Sequence, residues 1–316
     1  MAARTQRFSI IDKLGNNIEG TQSLTEALDA AGLNWTAKEA PVQYTIDDGT
    51  LKDSPFHRAL YRSDNGDFLG IVGSKYQAVQ NEDAFAMAEA LMESGMTFVR
   101  GGLFGSQTSV TLRAEDSNIE GDVIKNYVTI RNSFDGSSKV QFAWIPVRQV
   151  CENGLCVEVS DMKRTYELPH IGDIGKKYQE LFVKNAIGDG TEAIKRYAAS
   201  LLKVKCGTAE MTKILDKFFP VNAEFDEMNR VSTRVHNANL LKRQEIAEAF
   251  GQDDLANFNG TAYKIFQAFC DFETHSAGVV SKKPEIAARQ QFARAFEGYA
   301  ITTQVMAYLK QITSAR

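Results

Sequence analysis

The chain has 316 residues, 43% of them hydrophobic and 24% charged, with a formal net charge of -4. That length and apolar fraction support a large core in one or two domains, and no apolar run approaches the ~20 residues that cross a bilayer. Four cysteines do not make a disulfide framework, and the overall charge lacks the basic bias of a duplex-DNA reader. The N-terminal stretch MAARTQRFSIIDKLG has no long apolar segment, so no signal peptide and no membrane association are expected, and a cytoplasmic setting is.

The charge is uneven. Residues 1–120 hold 10 basic and 17 acidic side chains, residues 121–220 hold 15 and 12, and residues 261–316 hold 7 and 4. A local basic groove in the middle or at the C-terminal end is compatible with these counts, as is ordinary solvated charge.

Ser23 and Glu26 predict the start of a short helix with a capping box, and Gly32 its end. The first 55 residues read as a peripheral segment. Phe68-Leu-Gly-Ile-Val-Gly73 predicts an apolar strand whose glycines let another backbone approach. Asn81 is expected to cap the next helix, whose apolar face is Phe85, Ala88, Leu91 and Met92, with Gly95 as its stop. Gly101-Gly102 predicts a hairpin turn. Ser109–Arg113 and Val123–Arg131 alternate as strands, the latter placing Val123, Lys125, Tyr127, Thr129 and Arg131 on one face. After a turn at Asn132–Gly136, a further strand carries Val140, Phe142 and Trp144. Five or six strands around one packed helix are expected over 56–178.

From 179 the pattern is helical: 191–205, 209–219, 225–250, 261–274 and 284–312. In the last, Phe292, Phe296, Tyr299, Met306 and Leu309 form a stripe that suits a core or an oligomer surface. The fold class is therefore α+β: a mixed, largely antiparallel sheet domain followed by a helical C-terminal region.

Cys151 and Cys156 flank Glu-Asn-Gly-Leu, a spacing at the loose end for zinc and without a second ligand pair, and they lack the Cys-x-x-Cys of a redox motif. Asn153-Gly154 predicts a two-residue hairpin turn, with the cysteines as small buried hydrophobes. No Walker A, dinucleotide fingerprint, nucleophile elbow or HExxH stands in the sequence. No metal or cofactor is expected, and nothing demands an enzyme.

Polar and aromatic residues do gather in the β region. Arg131, Lys139, Arg148, Lys163 and Arg164 are candidates for phosphate contacts, and Tyr127 and Trp144 for stacking on bases. The alternative is that Tyr127 and Trp144 fill the sheet core while the cations are solvated.

Several stretches resemble a phage/plasmid-like protein family. Ala27–Trp35 with Pro41-Val42, Leu69–Asn81, Asn132–Gly136, Pro146–Asn153, and Gly260–Tyr263 with His275 are similar to its blocks. The signature residues under this resemblance are Tyr76, Asn81, Asp135, Gly136, Arg148, Cys151, Asn153 and His275. Where the family often has an Arg-His pair, this chain has Leu168-Pro169-His170. The resemblance implies an origin on phages or plasmids and action inside the bacterial host cell. The strand–helix–hairpin–strand order of 68–113 is also similar in outline to single-strand annealing proteins of phage recombination. The expected function is non-enzymatic binding of single-stranded DNA by a homo-oligomer. The alternative is a factor that binds a host protein to counter a defence system, using the acidic first 120 residues.

Overall fold

The computed structural model describes residues 9, 11–119, 121–149, 154–155, 165–167, 176–221, 230–276 and 283–314. A short strand β1 (Asn16–Asn17) and helix α1 (Leu24–Ala31) come first. The Ser23 side chain accepts the Glu26 backbone N–H at 3.2 Å, and Gly32 ends α1 in the left-handed region, as the sequence predicts. Strands β2 (Ala37–Thr45), β3 (Leu51–Arg62) and β4 (Phe68–Gly73) form a three-stranded antiparallel sheet in that order. Two helices, α2 (Asn81–Phe85) and α3 (Met87–Glu93), occupy the place of the single expected one.

Strands β5 (Thr97–Phe104), β6 (Gln107–Arg113), β7 (Ser117–Ile119), β8 (Asp122–Ser133), β9 (Gln141–Arg148) and β10 (Thr165–Glu167) build the main sheet. Its order is β1-β5-β6-β8-β9-β10, with β7 also paired to β8, and every described pairing is antiparallel. Then come α4 (Lys176–Leu202), α5 (Thr208–Phe218), α6 (Arg230–Phe250), α7 (Ala262–His275), α8 (Pro284–Glu297) and α9 (Ala300–Ser314). The α+β class holds: an antiparallel sheet region followed by a helical region.

Three expectations need correction. Gly101 and Gly102 do not turn the chain; they lie inside β5, and the turn falls at Gly105-Ser106. They serve close packing instead: a Cβ on Gly101 would sit 2.9 Å from the Ala31 Cβ. The last helix is interrupted at Gly298-Tyr299, and its stripe is buried inside the chain, with Phe292, Phe296, Tyr299, Met306 and Leu309 all in the core. The stripe is thus not an oligomer surface. Nor is the stretch 18–35 of the N-terminal segment peripheral, since Ile18, Leu24, Leu28 and Trp35 share a core cluster with Phe85 and Val128. The boundary expected at 55–56 falls within β3.

The main sheet is covered on both faces. Val128 and Ile130 of β8 pack with Leu28, Phe85, Leu91 and Phe98. Tyr127, next to Val128 and on the opposite face in the alternation, belongs to the second cluster, with Phe266, Phe269 and Phe272 of α7 and Phe292 and Phe296 of α8. Residues 262–274 of α7 are buried throughout, so this helix is the centre of the helical region. The long α4 serves both clusters, with Val183 and Ala186 in one and Ala193, Ile194 and Tyr197 in the other.

Candidate functional site

Covering both faces removes most of the expected nucleic-acid platform. Trp144 is 1% exposed. Its indole N–H donates to Asn126 Oδ1 at 3.0 Å, and Asn126 in turn donates to Glu115 O at 2.8 Å and Ser117 Oγ at 2.9 Å. A Cβ on Gly190 of α4 would lie 2.4 Å from the Trp144 ring, so α4 rests directly on the indole. Tyr127, 7% exposed, lies in the cluster around α7. Neither ring can stack on a base. The alternative reading, that both fill the sheet core, is the correct one for these two residues.

Arg148 is also inside, 2% exposed. Its guanidinium bridges Asp122 in bidentate fashion, Nε to Oδ2 at 2.8 Å and Nη2 to Oδ1 at 2.9 Å. Nη1 donates to Asp254 Oδ2 at 2.9 Å, and Nη2 to the Asp254 carbonyl at 3.1 Å. The Tyr263 hydroxyl donates to Asp122 Oδ2 at 3.2 Å, and burial pushes that phenol's pKa far up. Arg148 therefore ties β8 and β9 to the helical region. A buried cation of this kind cannot meet a phosphate without being unpaired at high cost.

Lys139 is exposed and pairs with Glu167 at 3.0 Å. Lys163, Arg164, Cys151, Asn153, Cys156 and His170 lie outside the described residues. Gly154 pairs with Val147 in an isolated bridge, and the Leu155 N–H donates to Pro146 O at 2.8 Å. The rest of the expected hairpin, Asn153 of its turn included, lies outside the described residues. Cys206 and Cys270 are buried and form no disulfide among the described residues. Among the described residues no three His, Cys, Asp or Glu side chains could together hold a metal ion.

Four of the signature residues converge. The Tyr76 hydroxyl donates to Ser133 O at 2.9 Å, at the end of β8. Asn132 Nδ2 donates to Val79 O at 2.7 Å. Asn81 does not cap α2, whose N-cap is Gln80; its buried amide donates to Leu33 O at 3.0 Å and accepts from Thr108 Oγ1 at 2.9 Å. Gly70 of β4 abuts the Asp135 backbone, where a Cβ would come within 3.0 Å. Gly136, at φ +75°, passes under the Tyr76 ring. Segment 69–81 thus clasps the β8–β9 turn and fixes Asp135 at the rim of the sheet. His275 ends α7, half-buried, and is not among the residues lining the cleft at that rim.

That cleft has a volume of about 340 Å³ and lies between the β5–β6 turn, the end of β8 and one face of α8. Phe104, Ser106, Gln107, Arg131 and Asp135 form one wall. Ile286, Arg289, Gln290, Ala293 and Glu297, at helical spacing on α8, form the other. Phe292 stacks on Phe104 with ring centroids 4.4 Å apart and planes 7° from parallel, joining the walls.

The charges at the cleft are well defined. Ser106 Oγ donates to Asp135 Oδ2, and the Ser137 N–H donates to Oδ1 at 2.9 Å. Burial opposes the charge on Asp135, but these hydrogen bonds outweigh it and hold the carboxyl below the usual aspartate range. Arg131 donates from Nε and Nη2 to Gln141 Oε1 at 2.9 and 2.6 Å and lies 4.3 Å over the Phe296 ring. Burial lowers its pKa and Glu297 acts against that shift, yet an arginine stays charged at any ordinary pH. Arg289 is exposed and makes no hydrogen bond or ion pair among the described residues.

Of the expected phosphate contacts among the described residues, the structure brings Arg131 alone to the cleft, beside the signature residue Asp135. Ser106, Gln107, Arg289, Gln290 and Glu297 were not expected. The i, i+3, i+4, i+7, i+11 series of 286, 289, 290, 293 and 297 is the sequence signal that marks the α8 face, and the adjacent aromatic stripe dominates it. No curated protein and no solved structure matches the chain. A family model described as Domain of unknown function (DUF932) matches residues 68–297, a span that holds the cleft and the Arg148 cluster alike, and the chain belongs to that family.

Proposed function

We propose that the protein binds single-stranded nucleic acid, and that it does so at the cleft between the β5–β6 turn, the end of β8 and α8 rather than on the sheet. The observation that carries this reading is the pairing of Arg131 and Arg289 across one small cleft, with Arg289 unengaged among the described residues. Two guanidinium groups suit a phosphate, and the amides of Gln107 and Gln290 suit the polar edges of a sugar or base. A cleft of this size admits about one nucleotide, so a strand would cross the rim and be held at one position per subunit. A near-neutral protein can bind in this way because the contact is local. The resemblance to proteins of phages and plasmids supports a role in their nucleic-acid metabolism, single-strand annealing included, and assembly of several subunits along a strand.

The test is oligonucleotide binding at low and moderate salt with the parent and with Arg289→Glu. The reading requires binding that weakens steeply with salt and a variant that binds at least tenfold more weakly with an unchanged melting temperature. No binding by the parent at low salt ends it.

A second reading, docking of a protein partner, is favoured by the three-stranded sheet. Register pairs set Ala59 beside Ala40 and Ile71, and Tyr61 beside Lys38 and Phe68, on one face. Phe68 is 64% and Ile71 52% exposed, whereas Leu60 and Val72 on the other face are buried. The hairpin end near this face carries Asp47, Asp48 and Asp53, all exposed. A partner with an apolar patch rimmed by basic side chains fits both features. Protection of amides 38–71 from hydrogen exchange in a complex, with none at 104–107, selects this reading over the first.

A further inference from the structure

A groove that only tracked a phosphate backbone would have no use for a fixed carboxylate beside its arginines, because the carboxylate repels phosphate. Asp135 is nevertheless held ionised at the cleft wall by Ser106 and the Ser137 N–H. An ionised carboxylate offers about four acceptor sites and no donor, and these two partners use only part of that capacity. Whatever fills the cleft gains most by presenting an O–H or N–H donor to Asp135 while an anionic group meets Arg131 and Arg289.

Within one nucleotide, the hydroxyl nearest to a phosphate is the ribose 2′-OH, on the carbon next to the one that carries the 3′-phosphate. Donors on the base lie on the far side of the sugar. A compact cleft that holds both kinds of group therefore matches the vicinal hydroxyl and phosphate better than it matches a phosphate and a base edge. Carboxylates take ribose hydroxyls in this way at dinucleotide sites, and the 2′-OH is the group by which a protein separates RNA from DNA. Resting on the nucleic-acid reading above, we infer that the cleft is selective for a ribonucleotide, with Asp135 accepting the 2′-hydroxyl and Arg289 and Arg131 holding the adjacent phosphate.

The experiment compares three strands of equal length and identical base: oligouridylate, oligodeoxyuridylate and 2′-O-methyl oligouridylate. The parent protein should bind the first about tenfold tighter than the second, the effect of one hydrogen bond to a charged acceptor. The 2′-O-methyl strand keeps a ribose-like sugar but has no donor, and should fall with the deoxy strand. That arm needs no variant, so it stands even where substitution of Asp135 disturbs the turn. In Asp135→Asn the ratio of ribo to deoxy affinity should approach one. Equal binding of all three strands by the parent overturns ribose selectivity and leaves strand binding intact. A ratio unchanged in Asp135→Asn removes Asp135 from the role. Failure of every strand to bind at low salt ends the nucleic-acid reading itself.

Discussion

Arg148 and Arg289 carry the same guanidinium and meet opposite surroundings. Arg148 sits at the end of β9, where the 3-10 turn at Asp253–Phe258 and α7 close over the sheet, and its guanidinium is bonded to Asp122 and Asp254. Arg289 sits on α8 where the sheet ends, facing a cleft, with no polar partner among the described residues. The first holds the two halves of the fold together, and the second lines an open cleft. Charge type in the sequence is the same in both cases; what differs is whether helices cover that part of the sheet.

The comparison breaks most readily at Arg148. Arg148→Ala leaves Asp122 buried without its cation and should cost about 3–5 kcal/mol of stability, read as a drop in the denaturant midpoint. A loss below ~1 kcal/mol would mean that the cluster is not a joint. Next in size is Gly190→Ala, which sets a methyl 2.4 Å from the Trp144 ring. Overpacking of this kind costs about 1–3 kcal/mol, and an unchanged stability would place α4 away from the indole. Arg289→Ala should change stability by no more than ~0.5 kcal/mol, as at an exposed site.

Two smaller effects sharpen the contrast. Trp144 emission should be blue-shifted and should not be quenched when an oligonucleotide is added, because the ring is buried against α4 and bonded to Asn126. Quenching would return the contact to the sheet. Asp135 has a folded-state pKa below its unfolded one. Its contribution to stability is therefore present above the ordinary aspartate range and lost as pH falls through the folded value. Asp135→Asn should be slightly less stable than the parent at neutral pH, and the gap should close in acid. A gap that widens in acid contradicts the hydrogen bonding from Ser106 and Ser137.

The local elements were legible. The alternation of Val123–Arg131, the cap at Ser23, the glycines of β4 and the turn after β8, which begins at Phe134 rather than Asn132, stand in the structure because short-range periodicity and turn chemistry determine them. The burial of Trp144 and Arg148 was not legible, because it depends on α4 and α7 folding back across long sequence distances. A strand with Tyr127, Thr129 and Arg131 on one face reads alike whether that face meets water or a helix. Gly101-Gly102 misled for a related reason: glycine marks a turn and a close approach with the same letter, and here β1 and α1 supply the approach. At the site, Asp135 was visible as a signature residue and Arg131 as a cation, but their partners on α8 lie more than 150 positions away.

The central claim is that the ligand contact lies at the sheet rim and not on the sheet. The most direct measurement is amide hydrogen exchange on the protein with and without saturating oligouridylate at low salt. The account predicts added protection at 104–107, 134–137 and 286–297, with no change at 126–129 or 143–148. Protection concentrated on 126–129 and 143–148, with none at the rim, would contradict it.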